Sequence, residues 1–250
     1  RALLLRLQHH NMALYRSPVR EADKSIPRQL AAQLGMQQLD ANWLADEDGI
    51  SSIAISEASD GRGGFIPYTN RAIRWHTDGY YHPAERRIRG MVLHCVRPAA
   101  QGGMNALLDH ELAYIALRDA SPAHIHALMQ PAAMTIPARD DDDGVARAAQ
   151  SGPVFAVDTK DGHLHMRYTA RTRSIEWASD AATRAAVAAL EAVLADNSVG
   201  VMRTRLAPGM GLISNNVLHD RSGFEDEPLQ PRLLYRARYL DRVALPPAKW

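Results

Sequence analysis

The 250-residue chain predicts a single, mostly β domain with flanking helices, and three observations carry that expectation. Short strand-like runs bounded by glycine and proline recur along the sequence, at 50–55, interruptedly over 65–96, at 153–158, 163–170, 199–206, 211–215 and 233–240. Helical periodicity is confined to fewer stretches, and the clearest of them is 180–196. No repeat, heptad array or low-complexity linker divides the chain, so residues 1–250 read as one domain around one core.

Each element has a local cause. The first 40 residues read as helical, with Pro27 in the first turn of a helix over 28–34 and Gly35 as its stop. Asp48-Gly49 turns the chain into the strand at 50–55. The 65–96 stretch follows Gly61-Arg62-Gly63-Gly64 and is broken at His82-Pro83. A helix is expected over 109–119, with Leu112, Ile115 and Ala116 on its apolar face. A second starts at Ser121-Pro122, with serine as cap and proline in first position. Residues 153–158 and 163–170 form a hairpin around Lys160-Asp161-Gly162. Along 180–196, Val187, Leu190 and Leu194 fall on one stripe. Pro208-Gly209 separates the next two strands, and the last spans 233–240. The polar stretch 139–152 reads equally well as a lid or as a surface excursion.

Composition narrows the partners. Twenty-nine Lys and Arg against 28 Asp and Glu give a net charge of +1, which offers no ground for a nucleic-acid or membrane partner. The longest like-charge run, Asp140 to Asp143, reads as a solvated loop. One cysteine, Cys95, excludes an intrachain disulfide and fits a reducing, cytoplasmic setting; its apolar neighbours make it a buried thiol. The apolar run Leu3 to Leu5 is too short for a signal-peptide core, although a chain that begins at Arg1 leaves a preceding segment open. Homo-oligomerisation is also left open.

The chemistry-bearing pattern is His76-Thr77-Asp78 with a distant His219. On a strand, His-x-Asp points both side chains to one face, and a second strand folded alongside can bring in another imidazole. Two histidines and one carboxylate are the ligand set of an open-sided non-haem iron(II) centre. With eleven histidines in the chain, the spacing alone does not decide. His163-x-His165 offers a rival cupin-type pair, but Thr169 stands where a cupin expects a glutamate. His94, in an apolar run, reads as a hydrogen-bonded core residue.

Longer segments sharpen the choice. Trp75-His76-Thr77-Asp78, then 90–96 followed by Gly102-Gly103 and Asp109, then Val217-Leu218-His219-Asp220-Arg221, and finally Arg232 to Tyr239 occur in that order. Together they closely resemble the taurine dioxygenase and gamma-butyrobetaine hydroxylase superfamily of iron(II)/2-oxoglutarate oxygenases. The resemblance implies a double-stranded β-helix, or jelly-roll, with iron(II) held by His76, Asp78 and His219. It further implies 2-oxoglutarate and O2 as cosubstrates, with hydroxylation of a small polar metabolite coupled to decarboxylation of 2-oxoglutarate to succinate. The carboxylate at Asp78 favours hydroxylation or desaturation over halogenation, which in this superfamily needs a small residue there.

Arg232, thirteen residues after His219, matches the arginine that binds the far carboxylate of 2-oxoglutarate. Asn105 stands where the superfamily usually has threonine or serine, and its amide can donate the same kind of hydrogen bond. Arg236 matches the arginine that contacts an anionic substrate; pairing with Asp226 or Glu227 is its competing reading. By strand phase, Arg232, Leu234, Arg236 and Arg238 share one face of the last strand, while Leu233, Tyr235, Ala237 and Tyr239 share the other. Two rival functions stay on the page: a non-catalytic jelly-roll used for binding or sensing, and a cupin-type metalloenzyme using His163 and His165.

Overall fold

The computed structural model describes residues 2–19, 21–42, 44–57, 61–139, 147–159 and 161–244. The acidic run Asp140–Asp143 and half of the stretch 139–152 lie outside them. Two antiparallel sheets frame the site. The larger has the order β1 (Met12–Arg16), β13 (Met210–Ser214), β4 (Gly90–Arg97), β16 (Leu233–Tyr239) and β2 (Ser51–Ile53). The smaller has the order β12 (Met202–Thr204), β6 (Asn105–Leu108), β14 (Leu218–Arg221) and β3 (Ile73–His76). Strands adjacent in both sheets come from distant parts of the sequence, the crossed connectivity of a jelly-roll.

Alternation along each strand sorts side chains into layers. On β16, Leu233, Tyr235, Ala237 and Tyr239 pack outward against α1 (Ala2–His10) and α2 (Ser25–Gln33), sharing a cluster with Leu4, Leu7 and Ala31. Leu234 faces the other way, toward Ile53, Cys95 and Leu206. On the smaller sheet, Leu108, Leu218 and Trp75 face α3 (His110–Ala120), α4 (Pro122–Leu128) and α5 (Ala181–Ala195). The residues between them in sequence, Leu107 and Val217, pack with Met91 and Leu212 between the sheets. The site occupies that same inter-sheet space.

Three smaller ribbons complete the architecture. β5 (Gln101–Gly102) pairs with β15 (Phe224–Glu225), β7 (Met134–Ile136) lies between β11 (Glu176–Trp177) and β8 (Gln150–Gly152), and β9 (Phe155–Val157) pairs with β10 (Leu164–Met166). The last pair is the hairpin expected around Asp161-Gly162. Of the 139–152 stretch, the described ends are tied down: Arg139 and Arg147 exchange backbone hydrogen bonds of 2.8 and 3.0 Å.

Two expectations need correction. The first 40 residues are not wholly helical: Asn11, at φ +53°, ends α1, and the chain continues as β1 paired along its full length with β13. Ala13 and Tyr15 alternate inward, a period-two signal too short to stand out beside the helices around it. On α3 the inner face is Ala113 and Leu117, whereas Leu112 and Ile115 stay 39% and 40% exposed. Residues 112–117 are apolar nearly all round, so their periodicity does not fix a phase. Placing small Ala113 inward lets α3 approach α4 and α5 closely. The α5 stripe agrees with expectation, and Asp180 caps the helix, its carboxylate accepting from the Thr183 N–H at 2.8 Å.

Candidate active site with a metal centre

His76 ends β3 and His219 lies on β14, and the antiparallel pairing sets the two residues directly opposite one another. Their ring centroids are 4.2 Å apart. Each Nδ1 lies 2.9 Å from a backbone carbonyl two residues earlier, Arg74 for His76 and Val217 for His219. A carbonyl can only accept, so both Nδ1 atoms carry the proton and both Nε2 lone pairs are left for a metal. Burial, then the neighbouring His219, pushes His76 down to about 3, which keeps its imidazole in the neutral, ligating form.

Asp78 completes the set, its ligand atom and those of the two histidines all lying within 4.8 Å of one another. Burial alone would raise its pKa; Arg236, Arg238 and the two imidazoles instead hold it well below the usual carboxylate range. Oδ1 accepts from Arg236 Nη1 at 3.2 Å, while Oδ2 is buried and has no protein partner. A buried carboxylate oxygen without a donor is costly unless something cationic meets it. Two imidazoles and one carboxylate, with donors converging and Asp78 Oδ2 unbonded, fit a divalent iron ion with open positions.

The backbone around Asp78 is clamped. Asn216 adopts φ +53°; its Oδ1 accepts the Asp78 N–H at 2.8 Å, and its Nδ2 donates to the carbonyls of Asp78 and Ile88 at 2.9 and 2.7 Å. Asparagine tolerates that backbone region better than most residues. Thr77, fully buried, accepts the Tyr168 N–H through Oγ1. Sequence reading assigned neither residue a role, although the Asn215-Asn216 pair before His219 was visible. A third unassigned residue, Arg221, is buried and donates to the carbonyls of Pro67, Thr69 and Arg71 at 3.3, 2.7 and 2.5 Å, tying the 66–72 segment to the ligand strand.

Arg232 lines a recess together with His76, His219, Asn105 and Arg221. It is 4% exposed, its Nη1 has no hydrogen-bond partner, and no carboxylate lies within ion-pair distance of it among the described residues. Its guanidinium stacks 4.9 Å above the Phe224 ring, which Arg221 also covers at 4.8 Å. Asn105, 8% exposed, sits opposite Arg221 across the β6–β14 pairing. The Gly102-Gly103 turn approaches the chain at Gly223 so closely that a Cβ on Gly102 would collide with the Gly223 carbonyl, and Gly102 has φ +71°.

The other two arginines of β16 have partners that the sequence did not reveal. Arg236 pairs with Asp78, not with Asp226 or Glu227; Asp226 instead accepts the Arg232 backbone N–H at 3.0 Å. Arg238, 4% exposed, donates to Asp40 at 2.5 Å and to the Tyr81 hydroxyl at 3.0 Å. The arginine face of β16 is therefore interior, with β2 and β4 on either side of the strand.

Beside the metal ligands opens a cavity of about 480 Å³, a size suited to a small-molecule ligand. One wall is apolar and aromatic, from Phe65, Ile66, Pro67, Tyr80 and Tyr81; another is basic, and His76, Asp78 and Arg236 reach it too. The rival pair does not converge in this way: His163 is exposed, His165 is half-buried and lines a separate recess with Arg167, and neither joins a three-ligand group among the described residues. His94 accepts or donates one bond with Tyr15 at 2.9 Å as a core residue, and burial pushes the Cys95 thiol up to about 11.

Comparison with known proteins agrees with this geometry. The family model described as taurine catabolism dioxygenase TauD, TfdA family, matches residues 20–238. A uridine-5'-phosphate dioxygenase from an Amycolatopsis species is 33% identical over 196 residues, 74% of this chain and 66% of that protein. One from a Streptomyces species is 31% identical over 218 residues, 80% of this chain and 72% of that protein. The chain thus spans roughly two thirds of the first relative's length. The non-heme iron oxygenase OrfP, solved with Fe and alpha-ketoglutaric acid, shares the fold at a TM-score of 0.66 and 17% identity, covering 95% of this chain and 78% of that one. No helix among the described residues is long and apolar enough to cross a membrane. With the family model spanning most of its length, the chain belongs to the TauD/TfdA dioxygenase family.

Proposed function

We propose that the protein is an iron(II)/2-oxoglutarate-dependent dioxygenase whose primary substrate is a small phosphate-bearing metabolite. The names of its relatives make uridine 5'-phosphate the candidate. The observation that carries the reading is the pairing of a buried three-ligand group with Arg232, a buried and unneutralised guanidinium lining the same recess. A single five-carbon diacid suits both, its keto-acid end at the metal and its far carboxylate on Arg232 in a two-pronged, charge-assisted pair. Asn105 is placed to donate to the same carboxylate. The overall reaction balances as substrate C–H, O2 and 2-oxoglutarate giving substrate C–OH, succinate and CO2.

Iron(II), when bound, supplies the activation of dioxygen. The chain's own contribution is to orient two imidazoles through their Nδ1 hydrogen bonds so that Nε2 faces the metal position, to keep Asp78 ionised, and to line the inter-sheet space with apolar side chains such as Met91 and Leu93. The 480 Å³ cavity has an aromatic wall for a flat, apolar group and a basic wall for an anion, a division that suits a nucleotide. The whole described chain acts as one catalytic domain, and its one buried thiol supports a cytoplasmic setting.

The test is succinate release from 2-oxoglutarate with added iron(II) and ascorbate, screened against uridine 5'-phosphate, uridine and a metabolite panel. Stimulation by the nucleotide is expected, together with its loss in His76→Ala, Asp78→Ala and His219→Ala while the fold persists. Binding of a ligand without turnover by iron-loaded protein would favour the non-catalytic alternative. Failure to bind either iron or 2-oxoglutarate would overturn the proposal.

A further inference from the structure

Six arginines line the large cavity, and they divide by their partners. Arg236 and Arg238 are neutralised inside the protein, by Asp78 and Asp40. Arg71, Arg74, Arg171 and Arg173 are exposed and have no ion-pair partner among the described residues. We propose that these four form the site for the substrate's phosphate, and that Arg236 serves to hold the metal carboxylate. The proposal rests on the dioxygenase reading and identifies which residues of its cavity select the substrate.

Geometry sets this group apart from a solvated basic face. Residues 168–170 run antiparallel to the end of β3: Thr77 donates to the Tyr168 carbonyl at 2.9 Å, Ala170 donates to the Trp75 carbonyl at 2.8 Å, and Thr169 bridges His76. Arg74 lies two residues before His76 and Arg171 two residues after Thr169, so the pairing carries both arginines to the same end. Like charges brought opposite each other on paired strands destabilise them. A dianion between the arginines turns that repulsion into attraction, and a phosphate, carrying about −1.5 to −2 charge with three acceptor oxygens, is such a group. Two residues of strand amount to roughly 7 Å, so the phosphate would sit within one small molecule's length of the metal ligands.

The assay uses the iron-loaded protein with 2-oxoglutarate under anaerobic conditions and three probes: uridine 5'-phosphate, uridine and inorganic phosphate. Arg74→Gln and Arg171→Gln are each expected to weaken nucleotide binding by about tenfold or more, as loss of a charge-assisted contact does. Affinity for uridine and for 2-oxoglutarate should be unchanged in both. Inorganic phosphate should raise the melting temperature of the wild type and compete with the nucleotide, and both effects should fade in the double variant. Without phosphate, the double variant should be at least as stable as the wild type, because it lacks the repulsion.

Nucleotide and phosphate binding unaffected by the double variant would overturn the proposal while leaving the dioxygenase reading intact. Equal loss of uridine and nucleotide affinity would also overturn it, by showing that the arginines shape the pocket without reading the phosphate. Loss of 2-oxoglutarate or iron binding by the wild type would instead defeat the underlying reading.

Discussion

The two ends of β16 solve the same physical problem in opposite ways. Arg232 and Arg238 are equally buried, at 4% exposure each, on one strand face. Arg238 is closed off by Asp40 and Tyr81, whereas Arg232 has only the Phe224 ring and an unbonded Nη1. A buried guanidinium without an anion is costly, and it is tolerated where a ligand will complete it. The difference separates a cation neutralised within the fold from one that the proposed cosubstrate would complete. Arg236, between them, shares its charge with a metal ligand and so belongs partly to each class.

The comparison can be broken most sharply at Arg238. Arg238→Met leaves the fully buried Asp40 side chain with the half-exposed Arg86 and with His82 at 4.0 Å, and loss of one buried partner costs about 3–5 kcal/mol. For a chain of this size that corresponds to a fall in melting temperature of roughly 10 °C by calorimetry. A neutral result would remove the distinction between the two ends.

Arg232→Met should do the reverse. The apo protein should melt no lower than the wild type, because an unpaired buried charge has been removed. Affinity for 2-oxoglutarate should fall at least about thirtyfold, corresponding to 2 kcal/mol or more. At ~100 times its wild-type Kd, 2-oxoglutarate should stabilise the wild type by about 2.7 kcal/mol and a variant weakened thirtyfold by no more than about 0.9 kcal/mol. A variant that melts far below the wild type would place Arg232 with the structural arginines.

Arg236→Leu tests the middle of the strand and has the smallest expected effect. Removing a group that orients a metal ligand typically lowers metal affinity by about ten- to a hundredfold. The loss should appear in iron(II) titrations without any substrate present. If iron affinity is unchanged and only the substrate KM rises, Arg236 is a substrate contact.

These arginines also mark the limit of what the sequence disclosed. The alternation of β16 was readable, and it separates the apolar face from the charged one as the structure does. The partners were not: Asp40 lies 198 residues from Arg238 and Asp78 lies 158 from Arg236, so only tertiary pairing brings them together. The same reason hid β1, whose pairing with β13 crosses almost the entire chain. The candidate ligands His76, Asp78 and His219 were legible because such chemistry restricts residue type and their order matched a family. The phase of α3 was not, because apolar residues nearly surround it.

The facing of His76 and His219 has a consequence for how the protein is made. Their contact joins positions 219 and 76, 143 residues apart, and among the described residues no element between them supplies the missing ligand. A growing chain on the ribosome therefore carries only the His76–Asp78 pair until a further 141 residues have been added, and Arg232 emerges later still. During that interval a divalent ion would find an incomplete, weak chelate. Iron selection is thereby deferred until β14 docks beside β3, with Arg232 following within the same closing step.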